Sequence, residues 1–451
     1  MKTFLRILAG LVLVGVIALL AFIFVPVQRT EPATELAADW QAEEGHGELV
    51  LDAGDCVACH TADDGEDLAG GRAIASPMGT IWSTNITPDA ETGIGNWSYE
   101  DFRAAMIDGV TPNGTHLYPA MPYENYRLMT EEDMRALYDH LMTEVEPVSE
   151  PNKETDLDFP FNQRWGIRAW NWLALNHGPG FTPAGGSEAQ DRGQYLVESL
   201  GHCGACHTPR DVFMAQDGVT ADAESFLSGG IVDGWNAPAL RGSDAGIRDW
   251  TVVELADYLA TGRNAHSAAN GEMALVVEHS LQKLPDSDNI AMAAYLKGLN
   301  GDDFDLPETV AAAGPIATPE AEADDAGTAT SELLIAAEPD MPLGARLYSD
   351  NCLGCHFASG KGAPGIFPEL QNNSLVVGSE VSPLISVILN GVELPATAKR
   401  PMTLRMQGYA DRLSDDEVAE LATWLRGAWG NEAGAVDADA VAAVRSSDSA
   451  H

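Results

Sequence analysis

Cysteine is scarce in this chain, with six in 451 residues, and all six fall in three copies of Cys-x-x-Cys-His. None is left for a disulfide or for the second half of a zinc site. Basic residues are scarce as well: 25 Lys and Arg stand against 68 Asp and Glu, a net charge of −43. That balance argues against nucleic acid as a partner and against docking on anionic lipid head groups. It describes a heavily solvated surface, or else one that meets a basic partner face. Also missing are a Ser/His/Asp arrangement, a phosphate-binding glycine loop and a nucleotide fingerprint, so no catalytic residues are assigned and a substrate site is expected on another polypeptide.

What is present is the motif itself, as Cys56, Cys59 and His60, as Cys203, Cys206 and His207, and as Cys352, Cys355 and His356. Two thiols three positions apart on one helical turn can bond the two vinyl groups of a haem, and the adjacent imidazole then faces the iron. A zinc site needs four ligands close together, whereas these pairs lie roughly 150 residues apart, each with one His. A redox dithiol has no need of His three times over. The pattern therefore specifies three covalently bound haem c groups, with His60, His207 and His356 as proximal ligands.

Length fits the same count, since 451 residues suggest about three domains. The order of segments around each motif repeats. A Gly followed by an apolar stretch precedes it, at Gly47, Gly193 and Gly344, and reads as the helix that opens a small cytochrome domain. After it comes a helix ending in Gly109, Gly262 or Gly391, where a left-handed cap is expected. A closing helix follows, with Tyr138, Tyr295 or Trp424 set to pack on the opening one. Thr130 with Asp133, and Ser414 with Glu417, have capping-box spacing. The predicted fold is all-α, three tandem small cytochrome c domains following one N-terminal transmembrane helix.

The predicted boundaries are an anchor over 1–30, domains over 40–150, 186–300 and 338–430, and a disordered tail over 431–451. A flexible acidic linker over 301–337 joins the last two domains, its composition rich in Ala, Pro and Thr. The connector over 151–185 is different, because it concentrates Trp165, Trp170 and Trp172. It is expected either to cover a neighbouring domain or to form a subunit or membrane-edge contact. At the N-terminus, Lys2 and Arg6 precede an uncharged run from Ile7 to Val27, long enough to cross a bilayer core. Positive charge at its start puts the remainder of the chain outside the cytoplasm. The run lacks a nearby small-residue cleavage site and reads as an uncleaved single-pass anchor in the inner membrane, with cleavage near Ala37–Ala38 as the alternative.

The sixth iron ligand decides between electron transfer and catalysis: a Met sulfur closes the site and raises the potential, an open face suits chemistry. Met121, between prolines in YPAMPY, is the candidate in the first copy, ahead of Met78, Met106 and Met129. Met273 is the candidate in the second, with His266 and His279 as a bis-histidine alternative. Met406 is preferred to Met402 in the third, for its spacing to the closing helix and the adjacent Tyr409.

With these features the chain resembles the three-haem cytochrome c subunit of bacterial membrane-bound dehydrogenases, including alcohol, gluconate and sorbitol enzymes and some molybdenum-containing aldehyde dehydrogenases. The three motifs carry the resemblance, together with NITPDAETGIGNWSYEDF, YPAMPY, FPFNQRWGIRAWNW, WNAPAL and RLSDDEVAELATWLRGAWGN, over roughly residues 45–432. One departure is that Met406 precedes Gln407 where relatives carry Pro. The resemblance implies a subunit that takes electrons from a catalytic partner of flavin, quinone or molybdenum type. It would pass them to ubiquinone or a terminal oxidase on the periplasmic side. A self-contained peroxidase-like haem enzyme and a membrane-tethered general electron shuttle are the alternative readings.

Overall fold

A computed structural model of the chain describes all residues except 176, 233, 243–245, 302–305, 307–324 and 449–451. The described residues form two compact units, Met1–Ala42 with Ala62–Gly180, and Glu43–Thr61 with Phe181–His451.

The first unit begins with the helix Lys2–Phe24, whose apolar residues Thr3–Phe24 have a mean hydropathy of 3.1 and none of it buried. At 1.5 Å per residue such a helix is about 33 Å long, enough for a hydrocarbon core. Beyond it the chain stays on this unit. Arg29 pairs with Asp101 at 2.5 Å, Thr30 N–H and Oγ1 donate to the Asp108 carboxylate at 3.0 and 2.6 Å, and Arg103 donates to the Thr30 carbonyl at 2.5 Å. The helix Tyr99–Asp108 starts in a Ser98/Asp101 capping box and stops at Gly109, whose φ of 60° is cheap only for glycine. The helix Glu131–Thr143 starts on Thr130, whose hydroxyl accepts from Asp133 N–H. Arg103 holds Glu131 at 2.7 Å with both side chains 8% exposed, so neither charge is left uncompensated in the core.

In the second unit, the helix Glu188–Tyr195 is continued by a π turn over Leu196–Leu200 and packs on Asp286–Leu299. Gly193 lies at that crossing, where a Cβ would run into the Ala291 carbonyl and Tyr295. The same device recurs between Leu343–Asn351 and Asp415–Leu425, where a Cβ on Gly344 would run into Trp424 and the Glu420 carbonyl. The repeated glycines thus let opening and closing helices touch backbone to backbone. Gly262 also has the left-handed cap conformation, φ 76° and ψ 5°, whereas Gly391 combines a φ of 77° with an extended ψ of −172° and so departs from the left-handed cap expected there. The last core is built on the fully buried Trp429 and Tyr348, ring centroids 5.2 Å apart, with Trp424 edge-on to Trp429. Tyr348 leaves its hydroxyl on the Phe357 carbonyl at 2.6 Å.

Four expectations need correction. The chain is mostly helical rather than all-α: Ala73–Ser76, Gly79–Trp82 and Asp156–Leu157 form a three-stranded antiparallel sheet, and Gly230–Val232 with Trp235–Ala237 and Gly391–Glu393 with Arg405–Gln407 form two-stranded ones. These segments are too short to show an alternating pattern in the sequence. The tail over 431–451 carries a helix, Ala438–Asp448, because Val436 and Val441 enter the last core and Arg445 pairs with Asp415 at 2.7 Å. The end of the linker over 301–337 is likewise a helix, Asp325–Ala336, pinned by the buried Leu334; residues 302–305 and 307–324 of that linker lie outside the described residues. Finally, residues 43–61, including the first motif, pack with the second unit, where Asp52 meets Lys283 at 2.9 Å.

Candidate haem-binding sites

Each motif sits on a short helical turn just after an opening helix: Cys56–His60 after His46–Ala53, Gly204–His207 after the π turn, and Leu353–His356 after Leu343–Asn351. This arrangement projects both sulfurs and the imidazole from one turn of chain. No disulfide joins any of the six cysteines. Burial pushes the Cys56, Cys203 and Cys352 thiols up to about 12 and that of Cys206 up to about 11, with Asp55 adding to the effect at Cys56. A reactive dithiol needs the opposite, a lowered thiol in electropositive surroundings. Among the described residues no three His, Cys, Asp or Glu side chains converge to hold a metal ion.

His207 and His356 are oriented for iron. His207 Nδ1 lies 2.7 Å from the Pro238 carbonyl and His356 Nδ1 lies 3.1 Å from that of Pro368. A carbonyl only accepts, so Nδ1 carries the proton and Nε2 keeps its lone pair for a metal. Burial lowers both imidazoles below their ordinary range, which holds them in the neutral, ligating form. These proline acceptors lie 31 and 12 residues beyond their histidines, a spacing too irregular to be found in the sequence. A cleft of about 520 Å³ opens beside the second motif, lined by Pro209, Arg210, Met214, Ile231 and Pro238.

Met121 is half-buried on a loop fixed by its own N–H to the Tyr118 carbonyl at 3.2 Å and by Tyr123 N–H to its carbonyl at 2.8 Å. Its competitors Met106 and Met129 are core filler, 5% and 3% exposed. His60 falls in the second unit and Met121 in the first. Met273 occupies the first turn of a helix, Glu272–His279, rather than a loop. His266 is committed elsewhere: its Nε2 faces Glu254 at 3.3 Å and its Nδ1 faces Glu369 at 3.4 Å. Met406 is half-buried on the strand Arg405–Gln407 and packs against the last core, whereas Met402 is 72% exposed. One group was not anticipated from the sequence. Arg263 is 6% exposed, its Nε and Nη1 have no protein partner, and burial and the neighbouring Arg400 lower its affinity for its own proton. A carboxylate such as a haem propionate is the chemistry that would satisfy it.

Glycine-crossed helix pairs, a Cys-x-x-Cys-His turn and a carbonyl-tethered imidazole together define cytochromes of the c type, which carry haem c. Comparison with known proteins agrees: the cytochrome c family profile matches residues 46–144 and 342–429, two regions rather than three, with the second motif between them. The gluconate 2-dehydrogenase cytochrome c subunit of Pantoea cypripedii is 40% identical, covering 90% of this chain and 91% of its own. The cytochrome c subunit of the quinone alcohol dehydrogenase of Gluconobacter oxydans is 38% identical over 88% and 81%, and the fructose dehydrogenase cytochrome subunit of Gluconobacter japonicus 38% identical over 95% and 87%. The chain belongs to the cytochrome c subunits of membrane-bound dehydrogenases, a family of electron-transfer rather than catalytic polypeptides.

Proposed function

We propose that the chain carries three haem c groups, one in each of three tandem cytochrome domains, and relays electrons from a dehydrogenase catalytic subunit of flavin, quinone or molybdenum type to ubiquinone or a terminal oxidase. The observation that carries this reading is the common placement of all three motifs on a turn that follows an opening helix. Bound haem supplies the one-electron redox chemistry. The chain's part would be to fix it through Cys56/Cys59, Cys203/Cys206 and Cys352/Cys355, and to offer His60, His207 and His356 together with Met121, Met273 and Met406 as ligands to its iron. Methionine in that role would keep water and peroxide from the iron.

The N-terminal helix serves as a retained anchor in the inner membrane with the haem domains on the periplasmic side. Support comes from the residues just after it. Thr30 shares the buried Asp108 with Arg127, which lies 3.0 Å from the same carboxylate, and cleavage near Ala37–Ala38 would remove Thr30 from that network.

Haem determination as the pyridine complex, together with the intact mass of the membrane-extracted chain, tests both points. Three haems per chain with residues 1–37 present is the expected result. Two haems, or a mature chain beginning beyond Ala37, would refute the corresponding part. Co-extraction of a large dehydrogenase subunit is expected in the same preparation.

A further inference from the structure

The aromatic connector takes no part in the haem motifs, yet it is bound on two sides. Its helix Ile167–Ala174 is fixed to the first unit through Asn171, which accepts from the Tyr123 hydroxyl at 2.9 Å and donates to the Asp108 carbonyl at 3.0 Å. On another side it meets the last turn of the N-terminal helix. Trp165 and Trp172 lie edge-on to Phe22 with ring centroids 6.2 and 5.2 Å away. Arg168 donates to the carbonyls of Phe22 and Val25 at 2.7 and 2.6 Å. The final carbonyls of a helix have no partner within it, and a cation there also complements the helix dipole, so Arg168 caps this one.

What these contacts leave uncovered is apolar. Trp172 is 67% exposed, Leu173 54% and Trp165 41%, and Phe159 and Phe161 on the approach are 79% and 52% exposed. Charge is distributed to match. Residues 159–187 contain no Asp or Glu, in a chain that has 68 of them, while Arg164 and Arg168 are both present. An exposed, acid-free aromatic patch joined to the end of an apolar helix that is itself wholly unburied has the chemistry of the head-group layer. Trp is favoured there because its ring is apolar and its N–H can remain wet.

We propose that the helix Ile167–Ala174, with Trp165 and Trp172, rests in the interfacial layer of the bilayer at the outer end of the N-terminal helix, a second membrane contact that fixes how the first unit is oriented above the lipid. The inference rests on the reading of the N-terminal helix as a retained span. A single helix leaves a domain free to pivot; a second contact about one helix diameter away removes that freedom. The net charge of −43 makes a neutral surface the favoured partner, because anionic lipid would repel the rest of the chain.

The haem-loaded full chain in phosphatidylcholine nanodiscs provides the test. Its six native cysteines are consumed by haem, so one new thiol can be nitroxide-labelled at a time, as Leu11→Cys, Trp172→Cys, Leu173→Cys or Val212→Cys. Val212 is 91% exposed and serves as the aqueous reference. Relaxation by oxygen, which partitions into lipid, and by a water-soluble nickel chelate gives the depth of each label. The proposal expects Trp172 and Leu173 labels at interfacial depth, between Leu11 and Val212, with several-fold lower chelate access than Val212. Labels at 172 and 173 as wet as Val212, with Leu11 in the core, would overturn the second contact and leave the anchor standing. A Leu11 label in water, or absent from the mature chain, would overturn the anchor reading itself. Labels shielded from both reagents only when a catalytic subunit is added would assign the patch to a protein partner and overturn the proposal.

Discussion

His266 offers a quantitative prediction about how the last two haem segments hold together. Its ring stacks on Trp250 at 5.8 Å and 14°, between Glu254 on one segment and Glu369 on the other, and Lys361 lies 3.9 Å from Glu369. Hydrogen bonds to the two carboxylates raise the imidazole from 6.5 to about 9, and the bond from His266 is the chief favourable influence that lowers Glu254 to about 2 against its burial. A raised cation stabilises the fold fully below its unfolded value and loses that contribution as pH climbs through the folded one. A lowered carboxylate contributes fully above its unfolded value and loses it as pH falls. The clasp is therefore at full strength between about pH 4.5 and 6.5 and is spent above about pH 9. A shift of that size corresponds to a ceiling of about 3 kcal/mol, and side chains that are 24% exposed reduce it to about 1–2 kcal/mol through solvent screening. His266→Gln should accordingly lower the melting temperature of the haem-loaded protein by roughly 2–8 °C at pH 6, read by calorimetry. At pH 10 the two proteins should melt together. A deficit of equal size at both pH values would refute the electrostatic account and leave only lost packing on Trp250.

Arg103→Gln should be the most damaging single change in the first unit, costing about 3–5 kcal/mol in chemical denaturation, because it strands the buried Glu131. Gly193→Ala and Gly344→Ala should each destabilise by about 1–3 kcal/mol by forcing helices apart, whereas Gly354→Ala, with nothing within 4 Å of its new Cβ, should be neutral or slightly stabilising. Met406→Ala should abolish the methionine–iron charge-transfer band of one haem and generate high-spin signal, while Met402→Ala, at a position 72% exposed, should leave the spectrum unchanged; the reverse outcome would exchange the two residues' roles. Arg263→Gln should lower the midpoint potential of one haem in a spectroelectrochemical titration and leave the others in place, if its unpartnered nitrogens meet a propionate.

The haem motifs and the helical repeat were readable because covalent chemistry and backbone contact both leave fixed residue types behind. Cysteines must stand three apart, and Gly193 and Gly344 must be glycine where a Cβ would strike the facing helix. Ser414 with Glu417 forms the capping box that its spacing suggested, and Thr130 accepts from Asp133 N–H as the same spacing requires. Other features depend on partners distant in sequence and leave no local trace. The Pro238 and Pro368 carbonyls act through backbone atoms that any residue supplies. The tail looked too polar and small to fold, yet Val436 and the fully buried Val441, with Arg445 held by Asp415, seat its helix on a core built elsewhere. Composition judges what a segment could bury by itself and is silent about a cavity waiting for it.

Residues 43–61 belong by repeat to one cytochrome domain and by packing to the unit that holds the other two. Modules in a tandem array can normally be cut apart, shuffled or lost at their boundaries. Here a break before Phe181 would deprive the first haem-attachment turn of Lys283, the partner of Asp52, and of the segment it folds against. The stretch after residue 300 is tied in the same way, through the buried Arg400–Asp257 pair at 2.8 Å, so the repeats can no longer be separated along their boundaries.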